Sequence, residues 1–292
     1  MAEADSPLPP GALPPRLQAT TEHALARGAL KPIPAERTQV PDAGVDFEVR
    51  ITPSLADKIQ EAHQQQAREA AGESVDPFAD PDPDLVVGDL SATHFAILNK
   101  FPVLEHHLLL VTRAYEAQRA PLSRDDFAAL QRALAELGGL GFYNAGAEAG
   151  ASQGHKHLQV VPGPLHLPME ARLHPANLTA HAAPAPDLPF PNAACRTPGA
   201  ETGAGGLFDA YRAMRDLLGL TAPDAAYNLL VTREWMLLVP RSTERFEGLM
   251  TNGLGFAGDF LVRDESDLAA LRRVGPMRVL RGVTGAIGEG ED

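Results

Sequence analysis

Apolar residues alternate with polar ones in "VDFEVRI" (45–51), where Val45, Phe47, Val49 and Ile51 predict a strand with one buried face. The runs "HFAILN" (94–99) and "HLLLVT" (107–112) are compact and apolar, and the "KFPVLEH" between them predicts two adjacent antiparallel strands. The period lengthens in "SRDDFAALQRALAELGG" (123–139), which places Phe127, Leu130, Leu134 and Leu137 on one helical face. Ser123 can cap that helix, Asp125 and Asp126 suit its positive end, and Gly138 and Gly139 stop it. Further on, "GLFDAYRAMRDLLGL" (206–220) predicts a helix, and "AYNLLVT" and "WMLLVP", separated by "RE", predict a hairpin. Trp235, on that hairpin, is expected in the core.

Between these elements the pattern weakens. Residues 1–14 are proline-rich and are expected as an arm or as disordered chain, and a short helix is expected over 15–28. The polar, helix-prone "DKIQEAHQQQAREAAGES" (57–74) has little apolar stripe and is expected as a solvated helix or a mobile insertion, and 76–85 carry the proline and aspartate density of a loop. The prediction is an N-terminal region over 15–165, a proline-rich connecting loop over 166–205 and a C-terminal region over 206–292. "HLLLVTRAY" and "NLLVTREW" echo each other and suggest two related halves.

Composition narrows the function classes. The 292 residues are 44% hydrophobic, ample for a large core, and no run approaches the roughly 18 apolar residues that span a bilayer. A net charge of −13 argues against binding a nucleic-acid polymer or an anionic membrane, while leaving room for a phosphate-bearing small ligand in a locally basic pocket. A single cysteine, Cys195, excludes an intramolecular disulfide, and the acidic, proline-rich start is unlike a secretory signal; the cytoplasm is the expected compartment.

The candidate chemistry lies in "AGASQGHKHLQVVP" (149–162). On a strand, residues two apart share a face, so His155, His157 and Gln159 point together while Leu158 and Val160 anchor the other side with Lys156. Such a triplet alone also suits a solvated strand face or a shared metal ion, but no nearby cysteine or carboxylate supplies a third ligand. The upstream "NAGAEAGASQG" changes the balance. Its glycines allow close backbone approach to an anion, and Asn144, Ser152 and Gln153 add neutral donors. A neutral imidazole beside that loop can attack phosphorus and split one transfer into two displacements. Glu105, His106 and His107 are adjacent, so their side chains diverge and a structural role is expected; His166, His174 and His181 are expected in solvent.

"YNAGAEAGASQGHKHLQVVP" and "LNKFPVLEHHLLLVTRAYEAQRAPLSRDDF", with "YNLLVTREWMLLVPRS" and "NGLGFAGDFLV" in the second half, resemble the diadenosine tetraphosphate phosphorylases. These enzymes, also called ATP adenylyltransferases, belong to the histidine-triad superfamily on the branch shared with galactose-1-phosphate uridylyltransferase. The resemblance implies an α+β fold of antiparallel sheets flanked by helices, its two related halves forming one compact unit. It implies reversible phosphorolysis of diadenosine tetraphosphate (Ap4A) to ATP and ADP, with dinucleoside polyphosphate, ATP, ADP and inorganic phosphate as partners. His157 would be the nucleophile, His155 would orient the site, and Gln159 would hold a phosphate oxygen without shuttling a proton to water. Asn144, Gly150, Ser152 and Gln153 match a phosphate-contacting loop and Lys58 a polyphosphate lysine. Asn99 and Lys100 match a strand end near the nucleoside, and Phe78 would flank the base, although "DPF" stands here where many relatives have Asn-Pro-Phe. No resident cofactor is implied, and magnesium would arrive on the substrate's phosphates. A different acceptor (sulfate or a sugar phosphate) and a non-enzymatic nucleotide sensor are the rival expectations.

Overall fold

The computed structural model describes residues 6–53 and 76–288. Lys58 and the segment 59–75 lie outside them. In chain order the elements are α1 (Leu13–Arg27), β1 (Glu36–Asp42), β2 (Val45–Ile51), β3 (Val86–Asp89), β4 (His94–Leu98), β5 (Leu108–Thr112) and α2 (Arg124–Leu137). There follow β6 (Leu140–Ala145), β7 (His157–Val161), β8 (Ala193–Arg196), α3 (Gly203–Leu217), β9 (Tyr227–Val231) and β10 (Trp235–Pro240). A two-strand pair, β11 (Arg245–Phe246) and β12 (Leu249–Met250), leads to α4 (Gly253–Ala257), β13 (Asp259–Val262), α5 (Glu265–Val274) and α6 (Pro276–Val283).

One antiparallel sheet dominates, in the order β3-β4-β5-β7-β6-β9-β10-β8. Sequence-distant strands β6 and β9 form its seam, pairing Asn144 with Asn228 and Phe142 with Leu230. A smaller sheet, β1-β2-β13, pairs β2 with β13 in parallel, Val49 opposite Phe260, so the two ends of the chain share one ladder.

Two cores follow from strand alternation. Leu108, Leu110, Leu158, Val160, Leu229 and Leu238 pack beneath α1, α2 and α3. Residues of opposite parity, including Phe142, Val161, Leu230 and Leu237, pack against Phe47 and Phe260 of the small sheet and against α5 and α6. Trp235 is fully buried in this second core, its indole N–H donating to Glu170 at 3.2 Å.

The capping prediction is observed in full: Ser123 Oγ accepts from Asp126 N, and Asp126 Oδ2 accepts from Ser123 N. The hairpin β9–β10 and the antiparallel pair β4–β5 also stand where the pattern puts them. The connecting segment differs from a plain loop. Its "AACR" becomes β8, which closes the large sheet against β10, and two short 3-10 turns precede it. Ala193, Ala194 and Cys195 are all buried, so this strand carries no alternation to read. The arm is partly built too: Leu8 N donates to Asp89 O beside β3.

Candidate active site

β7 lies between β5 and β6, with Val111 opposite His157 and Phe142 opposite Gln159. His157 and Gln159 therefore look toward the second core's side of the sheet, with Asn144 and Asn228 next along on β6 and β9. At His157 the β6–β7 ladder gives way to a side chain. Gln118, buried, accepts from His157 N at 2.8 Å and donates to Asn144 O at 2.9 Å and to His157 O at 3.2 Å. Tyr143 Oη donates to the Gln118 carbonyl from the other face. The nucleophile candidate is thus gripped at both its backbone N–H and its carbonyl.

The imidazole of His157 is 3% exposed, and burial pulls its pKa down to about 4, so the ring is neutral near pH 7. Its Nδ1 lies 2.9 Å from the His155 carbonyl. A carbonyl only accepts, so Nδ1 carries the proton and Nε2 keeps its lone pair. Among the described residues Nε2 has no hydrogen-bond partner. This is the arrangement of a nitrogen nucleophile.

His155 stands just before β7, bridged to Ala117, and is saturated. Its Nδ1 meets Asp76 Oδ2 at 2.8 Å, and its Nε2 meets Thr112 O at 2.8 Å and Thr112 Oγ1 at 3.0 Å. With both nitrogens committed, its contribution is to hold the carbonyl that fixes the His157 tautomer. Phe78 packs against both rings, with centroids 5.7 Å from His155 and 5.5 Å from His157. Phe78 thereby walls the nucleophile.

The glycine-rich loop is built differently from the cradle its sequence suggests. The N–H groups of Ala149 and Ala151 donate to Gly146 O, and that of Gly150 donates to Ala147 O. Gly150 is required for space and for its φ of +86°: a Cβ there would sit 2.7 Å from Asn252 Cβ. Its amide is engaged inside the turn, donating to Ala147 O. Ser152 is exposed, and Gln153 is half-buried beside it.

Asn144 is 1% exposed, and its Oδ1 accepts from Asn228 Nδ2 at 2.8 Å and from Gly253 N at 3.0 Å. Asn228 Nδ2 also donates to Ala149 O at 2.8 Å. The Arg241 guanidinium, buried and with its pKa lowered to about 9 by desolvation, donates to Asn228 Oδ1 at 2.6 Å and to Thr251 O at 3.0 Å. The glycine-rich loop and the segment entering α4 are tied together through these three side chains.

The remaining expected residues lie apart from this network. Asn99 turns its amide inward, accepting from Phe101 N at 3.1 Å and meeting His107 Nδ1 at 3.3 Å, while Lys100 is exposed. Glu105, His106 and His107 form no metal cluster; His106 meets Thr21 Oγ1 at 3.0 Å in a turn. No group of metal-ligating side chains is present among the described residues. His166, His174 and His181 are exposed. Sequence reasoning did not single out Asp76, Thr112, Gln118, Asn228 or Arg241. A signal existed for Asn228: the Tyr-Asn pair of "FYNAG" recurs in "AYNLL", and the two asparagines face each other across the seam.

Comparison with known proteins agrees with this geometry. Residues 3–177 match the model of the Ap4A phosphorylase N-terminal domain, and residues 186–286 match that of the ATP adenylyltransferase C-terminal domain. Diadenosine tetraphosphate phosphorylase 2 of Saccharomyces cerevisiae is 31% identical over 281 residues, spanning 84% of this chain and 85% of its own. Among solved structures, yeast Ap4A phosphorylase Apa2 superposes with a TM-score of 0.78 at 26% identity, covering 92% of this chain and 95% of its own, and the complex of Apa2 with Ap4A gives the same values. Fold, site and both halves of the sequence lead to one assignment: the chain belongs to the Ap4A phosphorylase family.

Proposed function

We propose that this chain cleaves Ap4A by phosphorolysis, yielding ATP and ADP through an AMP–His157 intermediate. The observation that carries the reading is the His157 ring itself: buried, neutral at pH 7, its Nδ1 proton tied to the His155 carbonyl and its Nε2 without a hydrogen-bond partner among the described residues. Nε2 attacks the α-phosphorus, a P–N bond forms, and the P–O bond to the departing ATP breaks. A phosphate oxygen then attacks the same phosphorus from the vacated side, releasing ADP and restoring the imidazole. The positive charge that the ring carries in the intermediate is shared with the His155 carbonyl through the Nδ1 proton.

Asn144 offers an amide N–H to the phosphate oxygens, and Gln159, half-buried on the same face, offers a second neutral amide. Neither moves a proton, so water in the site is left inactivated while an ionised phosphate needs no base. Any magnesium comes bound to the substrate's phosphates. A substrate drawn from free nucleotide pools supports the cytoplasm as the site of action.

Rapid quenching with radiolabelled Ap4A in the absence of phosphate tests the reading. Label retained on wild-type protein, lost from His157→Ala and discharged as ADP when phosphate is added is the expected result. Label that never attaches, or turnover that persists in His157→Ala, overturns it. Running sulfate and a sugar phosphate as acceptors beside inorganic phosphate separates the rival transferases, and an absence of turnover with all three marks a sensor.

A further inference from the structure

We propose that Arg241 and Asn228 are positioning residues: across the seam between the halves they lock the Asn144 carboxamide with its nitrogen turned toward the substrate's phosphate oxygens. The inference rests on the phosphorolysis reading only in taking Asn144 as a phosphate contact.

The direction of each hydrogen bond is fixed by groups that cannot reverse. A backbone N–H only donates, so the Asn144 atom that Gly253 N reaches at 3.0 Å is the oxygen. A guanidinium only donates, so the Asn228 atom that Arg241 Nη1 reaches at 2.6 Å is likewise the oxygen. The Asn228 nitrogen then faces two acceptors, Asn144 Oδ1 and Ala149 O, both at 2.8 Å. What is left over is Asn144 Nδ2. It belongs to a side chain 1% exposed and has no partner among the described residues.

Electrostatics points the same way. Arg241 is 7% exposed and meets carbonyls and one amide, with no carboxylate within ion-pair distance among the described residues. Its charge, with Glu244 as the carboxylate acting on it from beyond ion-pair distance, stands behind two amides in series. Each amide turns its oxygen to the cation and its nitrogen outward, so the chain of dipoles presents a polarised N–H at the far end. A polyphosphate is the ligand chemistry that completes such a chain, and in a protein of net charge −13 a buried cation relayed in this way supplies local attraction.

The test is a double-mutant cycle between Asn228→Asp and Asn144→Ala in the full chain, read as AMP affinity by calorimetry and as Ap4A phosphorolysis. An aspartate at 228 still accepts from Arg241, which offsets in part the two hydrogen bonds no longer given to Asn144 Oδ1 and Ala149 O, so the variant is expected to fold with a lowered Tm. It cannot donate to Asn144, and AMP affinity and kcat/KM are each expected to fall about 10- to 100-fold, the scale of a hydrogen bond to a charged group. The double variant is expected to bind no more weakly than Asn144→Ala alone. Should Asn228→Asp fail to fold, Asn228→Ala enters the same cycle. AMP binding within about twofold of wild type in the 228 variant, or losses that multiply in the double variant, overturns the relay. A wild-type protein that binds AMP yet never phosphorolyses Ap4A overturns the functional reading instead, and leaves the relay to be judged on affinity.

Discussion

Two buried histidines flank the central sheet and are wired in opposite ways. His94, on β4, faces the helices: its Nε2 meets Asp126 Oδ1 at 2.9 Å, its Nδ1 meets Thr93 Oγ1 at 3.0 Å, and Lys156 Nζ lies 3.4 Å from the other Asp126 oxygen. Burial raises the Asp126 carboxyl, but the His94 hydrogen bond and the Lys156 charge outweigh it and hold the group below the usual range. His157 faces the other way with one nitrogen satisfied by a carbonyl, and among the described residues its other nitrogen has no hydrogen-bond partner and the ring has no carboxylate partner. Both rings are equally hidden. Only the second is left with bonding capacity, and that difference separates a structural ion cluster from a reactive site.

The contrast can be tested from both ends. His157→Ala is expected to abolish label transfer and turnover while Tm changes little. Lys156→Met should do the reverse. Removing one partner of a buried ion pair typically costs about 3–5 kcal/mol, so urea unfolding should show a loss of that order while the folded fraction keeps kcat/KM within about twofold. A catalytic collapse in Lys156→Met would break the comparison.

Gly150→Ala is next in size. A left-handed φ and a 2.7 Å approach to Asn252 predict a loss on the order of 1–3 kcal/mol, together with a raised KM as the loop lifts from the segment entering α4.

pH sharpens the contrast further. Below pH 6.5 the unfolded chain protonates His157 while the native state does not until about pH 4, so this group withdraws stability as pH falls through that window. Asp259 acts oppositely. Burial raises its pKa to about 6, so the native state binds more protons than the unfolded chain below that value and gains stability. Because the two contributions offset in an unfolding experiment, the rate profile is the better readout: the acid limb of kcat/KM due to the nucleophile is expected near pH 4, well below an ordinary histidine. Gln159→His, the mildest change, should raise the ratio of hydrolysis to phosphorolysis with little effect on Tm.

Much of this was legible in the chain. Period-two alternation put His157 and Gln159 on one face, and the Ser123–Asp126 box announced α2. What was hidden had a physical reason in each case. Asp76, which holds His155, is 79 residues away across segments that no local pattern connects. Gly150 invited an anion-cradle interpretation because sequence shows that a glycine is needed without showing what presses against it. Arg241 looks like an ordinary loop cation until its burial beside the Asn144–Asn228 pair is seen.

The parallel pairing of β2 with β13 carries a consequence for how such a protein can be divided. A nick anywhere in the connecting segment would leave each fragment holding one rail of that ladder and one side of the β6–β9 seam, with bare edges on both. Neither piece could be swapped for a distant cousin's, or expressed by itself, without a complementary edge to replace what it lost. The two stretches fold as a single unit.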